Sequence, residues 1–323
     1  MTNMTEQEQS YHLFLAQWLD TDTNHICVHT SGSTGTPKEI LLDKQLVSRS
    51  ARRTIDFFGI NSSSTLHSCI NFNFIGGKMM IVRACIADCR LTFETPSNQA
   101  LAAASGRKDL VSVVPSQMAG ILQRHRMPDV ANYLIGGSAI DPILRRHIAE
   151  APITAWESYG MTETASHIAI RRVTAEETPF VPLSGIETGI DSRGCLTIWE
   201  KGVPDPISVV TNDLAEVYAD GSFRIIGRAD DMIVTGGRKA NPLLIEEILR
   251  PYISCPFFIT SQPDPTWTNA IVLATVCSQE EADSIFRSIQ SLPDSIIPAW
   301  QRPKHIRALR SLPLTASGKL KRH

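Results

Sequence analysis

Between Thr30 and Lys38 the chain reads Thr-Ser-Gly-Ser-Thr-Gly-Thr-Pro-Lys, nine residues that combine glycines, a run of hydroxyls and one cation. Such a loop suits a polyphosphate. Gly32 and Gly35 let backbone N–H groups approach phosphate oxygens, Ser31, Ser33, Thr34 and Thr36 add donors, and Lys38 supplies countercharge. It is not a Walker A loop, which needs Gly-Lys-Ser/Thr entering a helix; here Pro37-Lys38-Glu39 enters residues 39–42, which read as a strand. A mobile polar hairpin loop is the alternative reading of the same residues.

Downstream, Ser158-Tyr159-Gly160-Met161-Thr162-Glu163 sets an aromatic face, a surface on which a purine can stack, beside a carboxylate. A hard cation bound to polyphosphate takes oxygen ligands, often only one or two of them carboxylates. Read alone, the segment is equally a strand end with a capping Thr-Glu pair. Gly136-Gly137-Ser138 is by itself a turn, and Gly227-Arg228-Ala229-Asp230-Asp231 by itself a surface charge cluster. Lys319 lies in a basic chain end of the kind that is usually solvated and frayed.

The elements that must position these groups follow from periodicity. Short apolar runs alternate with longer amphipathic stretches from 26 to 157, the pattern of an α/β domain. Strands are predicted at 26–30, 65–69, 110–114, 132–135 and 153–156, and helices at 44–58, 77–87, 116–124 and 141–150. Beyond Met161 the pattern turns β-rich, with strands at 168–171, 196–199, 214–218 and 223–226, and Asp220-Gly221 as a hairpin turn. The last stretch predicts a helix capped by Asn241 with Pro242 at its first position, a strand at 270–276 and a helix at 280–289. The fold class is α/β: a large N-terminal αβ domain with a β-rich subdomain, followed by a small mobile C-terminal α+β domain.

Composition narrows the function. With 323 residues, 42% of them hydrophobic, the chain can bury a large core, and a net charge of -2 gives no overall basic field for nucleic acid or an anionic membrane. No apolar run is long enough to predict a membrane span, and the N-terminus lacks a signal-peptide pattern. The seven cysteines are scattered without a Cys-x-x-Cys pair, which predicts reduced thiols in a cytoplasm and no zinc site.

Taken in order, these segments resemble the adenylate-forming (AMP-binding) acyl-CoA synthetase superfamily. The 30–38 loop is similar to its phosphate loop, and 158–163 to its Tyr-Gly-x-Thr-Glu motif. The resemblance implies that Tyr159 stacks on adenine, Thr162 meets the α-phosphate and Glu163 holds Mg²⁺. Gly136, Gly137, Ser138, Gly160 and Met161 would line the nucleotide pocket. Thr211-Asn212-Asp213 is similar to the family's Thr-Gly-Asp, with Asn212 expected to take the left-handed turn that glycine usually fills. Asp213 and Arg228 would bind ribose, and Asp230 would be the hinge between a domain of residues 1–229 and one of 230–323. The segment Thr235-Gly236-Gly237-Arg238 would form the coenzyme A tunnel, and Lys319, inside a Pro-Leu-Thr-x-Ser-Gly-Lys motif, would be the catalytic lysine.

Cofactors and partners follow from the same resemblance: ATP, Mg²⁺ and coenzyme A, with a small carboxylic acid as substrate. A homo-oligomer is compatible with it. Most relatives carry a further subdomain ahead of the phosphate loop, so the chain reads as a short form. Residues 71–77 align with a segment often written Phe-His-x-x-Gly, but lack its histidine. Within the superfamily, residues 159–167 are most similar to o-succinylbenzoate-CoA ligases of menaquinone synthesis. That implies a partner for a second carboxylate, for which Lys78, Arg83, Ser166 and His167 are candidates. Another acyl- or aryl-CoA ligase, an adenylation enzyme loading a carrier protein, and a non-catalytic nucleotide-binding relic remain open.

Overall fold

The computed structural model describes residues 4–30, 38–124, 127–313 and 320–322. The chain divides into two compact units: residues 1–189, 198–209 and 218–224 in the first, and 190–197, 210–217 and 225–323 in the second.

The first unit opens with a helix that periodicity does not reveal, α1 (Glu6–Leu19). It is started by a capping box in which Thr5 and Glu8 satisfy each other's backbone N–H. Strands β1 (His25–Thr30) and β2 (Lys38–Asp43) pair antiparallel, with Thr30 opposite Lys38, so the hydroxyl-rich loop joins the ends of a hairpin. Helix α2 (Lys44–Phe58) starts where Asp43 accepts from Gln45 and Leu46 N–H and stops at Gly59, whose φ of 63° ends the helix without Cβ strain.

A seven-stranded sheet follows in the order β4-β3-β5-β6-β7-β8-β9. Its strands are β3 (Thr65–Ser68), β4 (Arg90–Phe93), β5 (Leu110–Val113), β6 (Tyr133–Ile135), β7 (Ala155–Met161), β8 (Ser166–Arg172) and β9 (Val181–Pro182). The first five are parallel and the last two antiparallel. Helices α3 (Ile75–Ala87), α4 (Pro115–Leu122) and α5 (Pro142–Glu150) make the crossovers. Val111, Val113, Tyr133 and Ile135 are fully buried, as the middle of a parallel sheet demands. Each large apolar side chain contributes roughly 1.5–3 kcal/mol by burial.

A four-stranded sheet, order β10-β11-β12-β13, is formed by β10 (Ile186–Ile190), β11 (Cys195–Glu200), β12 (Ser208–Val217) and β13 (Phe223–Arg228). The second unit holds the ribbon β14 (Ile233–Thr235) and β15 (Arg238–Ala240), and helix α6 (Pro242–Leu249) capped by Asn241 as predicted. Strands β16 (Phe257–Asp264), β17 (Thr268–Thr275) and β18 (His305–Ala308) form a three-stranded sheet, with α7 (Gln279–Gln290) between the last two in sequence. Ile245, Leu249, Ile259, Leu273 and Ile289 make its separate core. No described helix is long and apolar enough to cross a membrane.

Candidate active site

Tyr159 stands near the end of β7, half-buried, with its ring edge-on to Phe223 at 5.2 Å and tilted against Phe180 at 5.7 Å. The two phenylalanines stack at 5.6 Å, and Arg171 lies 4.0 Å over the Phe180 ring. Beneath this wall Glu157 is buried and shared: Arg145 and Arg171 donate to Oε2, and the N–H of Ile140 donates to Oε1 at 3.1 Å. One carboxylate thus braces β7, β8, α5 and the β6–α5 connection at Ile140. A lone buried carboxylate would be costly, but two guanidinium partners and a backbone donor offset that.

Backbone contact makes Gly160 sterically required, whereas Gly136 faces only a side-chain oxygen. A Cβ on Gly160 would sit 2.2 Å from the Ser166 carbonyl oxygen, and one on Gly136 would sit 2.7 Å from Ser158 Oγ. Gly137 has a φ of 91°, in the left-handed region. The β7–β8 ladder also slips between Tyr159 and Gly160, so the backbone bulges beside the aromatic platform.

Beyond Met161, Thr162 and Glu163 occupy a single 3₁₀ turn, Thr162–Thr164. Glu163 is exposed and makes no hydrogen bond or ion pair among the described residues, so its carboxylate is available to a cation. The turn ends in two consecutive positive-φ residues, Ala165 (50°) and Ser166 (95°). Such conformations cost of order 1–3 kcal/mol each and persist only where the surroundings hold them. Here Ser50 Oγ donates to Ala165 O at 2.7 Å and Thr164 Oγ1 donates to Ser166 O at 2.6 Å.

Of the four side chains considered for a second carboxylate, Lys78 is engaged. Its Nζ donates to Cys27 O at 3.0 Å and lies 5.0 Å from the Phe14 ring centroid. Ser166 is half-buried, with Oγ 3.4 Å from His167 Nδ1. His167 is buried, its Nε2 3.1 Å from Thr54 Oγ1. Burial, aided by the positive charges of Arg83 and Arg53, holds its pKa well below the usual 6.5, so its imidazole is neutral. Arg83 is 1% exposed and has no acidic partner among the described residues. Its Nε and Nη2 have no hydrogen-bond partner among the described residues, and Nη1 has only Met80 Sδ at 3.6 Å. Burial alone pulls this guanidinium down to about 9.

In the second unit, Asp213 Oδ1 accepts from Arg228 Nη1 at 2.7 Å, and Asp230 Oδ2 accepts from Arg228 Nη2 at 2.9 Å. Asn212 does not take the expected left-handed turn. It lies within β12, and its amide instead donates to Asp230 at 3.2 Å while accepting from Arg193 at 3.1 Å. The strand ladder makes the glycine-like turn unnecessary, and an amide side chain joins the charge cluster in its place. Asp230 sits in the 3₁₀ turn Ala229–Asp231, and Gly236 and Gly237, both at positive φ, turn β14 into β15. Arg238 lies over Trp300 at 5.3 Å. Arg322 ties the chain end down through Glu246, the Ile259 carbonyl and Asp231. Ser31, Gly32, Ser33, Thr34, Gly35 and Lys319 lie outside the described residues, as do the side chains of Thr30 and Lys38.

A family model for AMP-binding enzymes matches residues 2–193, and the chain belongs to that adenylate-forming family. Its class is that of the ATP-dependent, AMP-forming acid–thiol ligases. The 2-succinylbenzoate–CoA ligase of Enterococcus faecalis is 24% identical over 358 residues, covering 98% of this chain and 72% of that one. The ligase of the same name from Listeria monocytogenes is 23% identical, covering 92% and 68%. An acyl-CoA synthetase (AMP-forming)/AMP-acid ligase II-like protein from Dyadobacter fermentans is similar over 99% of this chain and 93% of its own, with a TM-score of 0.65 and 28% identity. The Bacillus subtilis o-succinylbenzoate coenzyme A synthetase, solved with ATP and magnesium ion, shares the fold with a TM-score of 0.72 and 21% identity, covering 92% and 68%.

Three features of these regions were not legible in the motifs: the Glu157–Arg145–Arg171 brace and the Phe180–Phe223 wall in the first unit, and the Arg322 anchor in the second. The alternation of β7, which puts Glu157 and Tyr159 on one face, was the only available signal.

Proposed function

We propose that this chain is an o-succinylbenzoate-CoA ligase, acting in a cytoplasm within menaquinone synthesis. The carrying observation is Arg83. A buried guanidinium without an acid partner is costly, and a carboxylate from the substrate would complete it with two parallel hydrogen bonds. Arg83 acts electrostatically on His167, whose neighbour Ser166 packs against Gly160, so the cation and the aromatic platform belong to one packed region. The aromatic carboxylate would meet Arg83 while the succinyl carboxylate attacks the α-phosphorus of ATP.

Charge then grows on phosphoryl and leaving oxygens, and what a protein supplies is position and countercharge. Tyr159 would stack the adenine, Asp213 and Arg228 would hold ribose, and the 30–38 loop would cradle the phosphates. Glu163 would hold Mg²⁺, which supplies positive charge to the phosphates. Lys319 would stabilise the first half-reaction. A small domain of residues 230–323 would then turn about Asp230, bringing the 235–238 segment to the coenzyme A thiol.

Pyrophosphate release is measured with o-succinylbenzoate, long-chain fatty acids and amino acids, with and without coenzyme A. Release with o-succinylbenzoate and stoichiometric coenzyme A consumption supports the reading. Release with only the other acids overturns it, and release without coenzyme A consumption would mark a carrier-loading enzyme.

A further inference from the structure

Away from the residues assigned above, four polar side chains meet on one face of the β3–β4 pair. The parallel register puts Thr92 beside His67, and continuing it by two residues brings Glu94 level with Cys69. Strand alternation then turns all four side chains to the same side. Thr92 has one hydroxyl hydrogen, which goes to the Leu66 carbonyl at 3.1 Å. Its oxygen therefore accepts from His67 Nδ1 at 2.8 Å, so Nδ1 carries a hydrogen and Nε2 in the neutral ring presents a lone pair.

That lone pair has no proper partner. His67 Nε2 is buried without a hydrogen bond among the described residues, in a side chain 5% exposed, and faces Glu94 Oε2 across 3.7 Å. With the ring neutral, acceptor faces acceptor; with the ring protonated, the same contact is an ion pair. The other carboxylate oxygen is fixed by the N–H of Leu101 at 2.7 Å, a bond that also supports Leu101 at a φ of 63°. Cys69 is fully buried beside the same carboxylate, and the donor atoms of His67, Cys69 and Glu94 all lie within 4.8 Å of one another.

We propose that His67, Cys69 and Glu94 form a site for a borderline-soft divalent cation of the zinc type, with the fourth position open to water. Zinc binds nitrogen and oxygen near 2.0–2.2 Å and thiolate near 2.3 Å, so tetrahedral neighbours stand about 3.4 Å apart. The 3.7 Å gap closes by a few tenths of an ångström to meet that. Thr92 fixes the ring tautomer as an outer partner of a metal-bound histidine does. The nitrogen and sulfur donors disfavour Mg²⁺. Binding passes the Cys69 thiol proton to solvent, and no electron changes hands. The spacing predicted no zinc site because the third ligand comes from the adjacent strand, 25 residues after Cys69.

The test uses the full chain, stripped with a chelator, freed of it and titrated with Zn²⁺ or Co²⁺ in the absence of nucleotide. One equivalent should bind, and the Co²⁺ adduct should show thiolate-to-metal charge-transfer absorption that Zn²⁺ abolishes. Cys69→Ser should lose the band. His67→Gln and Glu94→Gln should weaken binding beyond the roughly 10- to 100-fold expected for the outer-partner variant Thr92→Val. Glu94→Gln keeps an acceptor for Leu101, so it removes the ligand charge without removing that support; circular dichroism checks each variant's fold. Cys27, His29 and Glu39 also cluster, on the β1–β2 hairpin, so Cys27→Ser should keep the band. Loss of the band in Cys27→Ser alone, undiminished affinity in the His67, Cys69 and Glu94 variants, or no stoichiometric binding would overturn the proposal.

Discussion

The Tyr159 region and the Arg228 region hold candidate nucleotide ligands by opposite means. Around Tyr159 the backbone is locked: Gly160 touches Ser166, two positive-φ residues are clamped, and Glu157 is shared by two arginines. Around Arg228 the side chains are held by charge at the surface, with Arg228 and Asp230 about half exposed at 49% and 55%. Exposed ion pairs contribute about 0–1 kcal/mol each, so such a cluster can exchange an internal partner for a ligand at little cost. A packed bulge cannot. The difference fits a rigid recognition surface in one unit and a rearranging segment in the other.

The largest expected effect tests whether the second unit acts in only one half of the cycle. Lys319→Ala should lower adenylate formation by roughly 10²- to 10³-fold, the scale of losing one preorganised charge-stabilising donor. Thioester formation from supplied acyl-adenylate should stay near wild type, and equal loss in both half-reactions would break the assignment. Gly160→Ala probes the locked region. The 2.2 Å approach to a backbone oxygen should cost about 1–3 kcal/mol, read as a lower denaturation midpoint, because the contact cannot be relieved by turning a side chain. An unchanged midpoint would mean that the bulge is softer than it looks.

His167 gives a smaller, pH-dependent effect. Its folded pKa is depressed below 6.5, chiefly by burial, so below that pH the unfolded chain takes up a proton that the native chain refuses. Stability from this group is intact above pH 6.5 and falls as the pH drops below it. Melting temperatures should decline more steeply below pH 6.5 for wild type than for His167→Gln. Smallest in stability terms, Asp213→Asn and Arg228→Gln should shift the melt little while raising the apparent KM for ATP, since the lost contacts would serve ground and transition states alike. A collapse of the melt in both would recast the cluster as structural.

Local punctuation explains what could be read in advance. Helix α2 was predicted at 44–58 and is found there because Asp43 and Gly59 bracket it. By contrast α1 has no clear stripe, with Leu13 and Leu19 exposed at 74% and 61%. Strand β7 was predicted to end at 156 and runs to Met161, because pairing with β8 carries the chain through Gly160. The left-handed Asn212 failed for the same reason, a tertiary ladder overriding a local preference. Tyr159 and Glu163 were legible as types in a motif. The partners of Glu157, like those of His67, come from other elements and are decided by packing.

The central claim is that Arg83 receives a second carboxylate, and one comparison tests it directly. Arg83→Met is assayed with o-succinylbenzoate and with 4-oxo-4-phenylbutanoate, the same molecule without its ring carboxylate. Removing one partner of a buried pair costs about 3–5 kcal/mol, so kcat/KM for o-succinylbenzoate should fall by roughly 10²- to 10⁴-fold. The analogue, which leaves Arg83 unpaired already, should change by less than about 10-fold. Equal losses for the two substrates, or no loss for o-succinylbenzoate, would contradict the account.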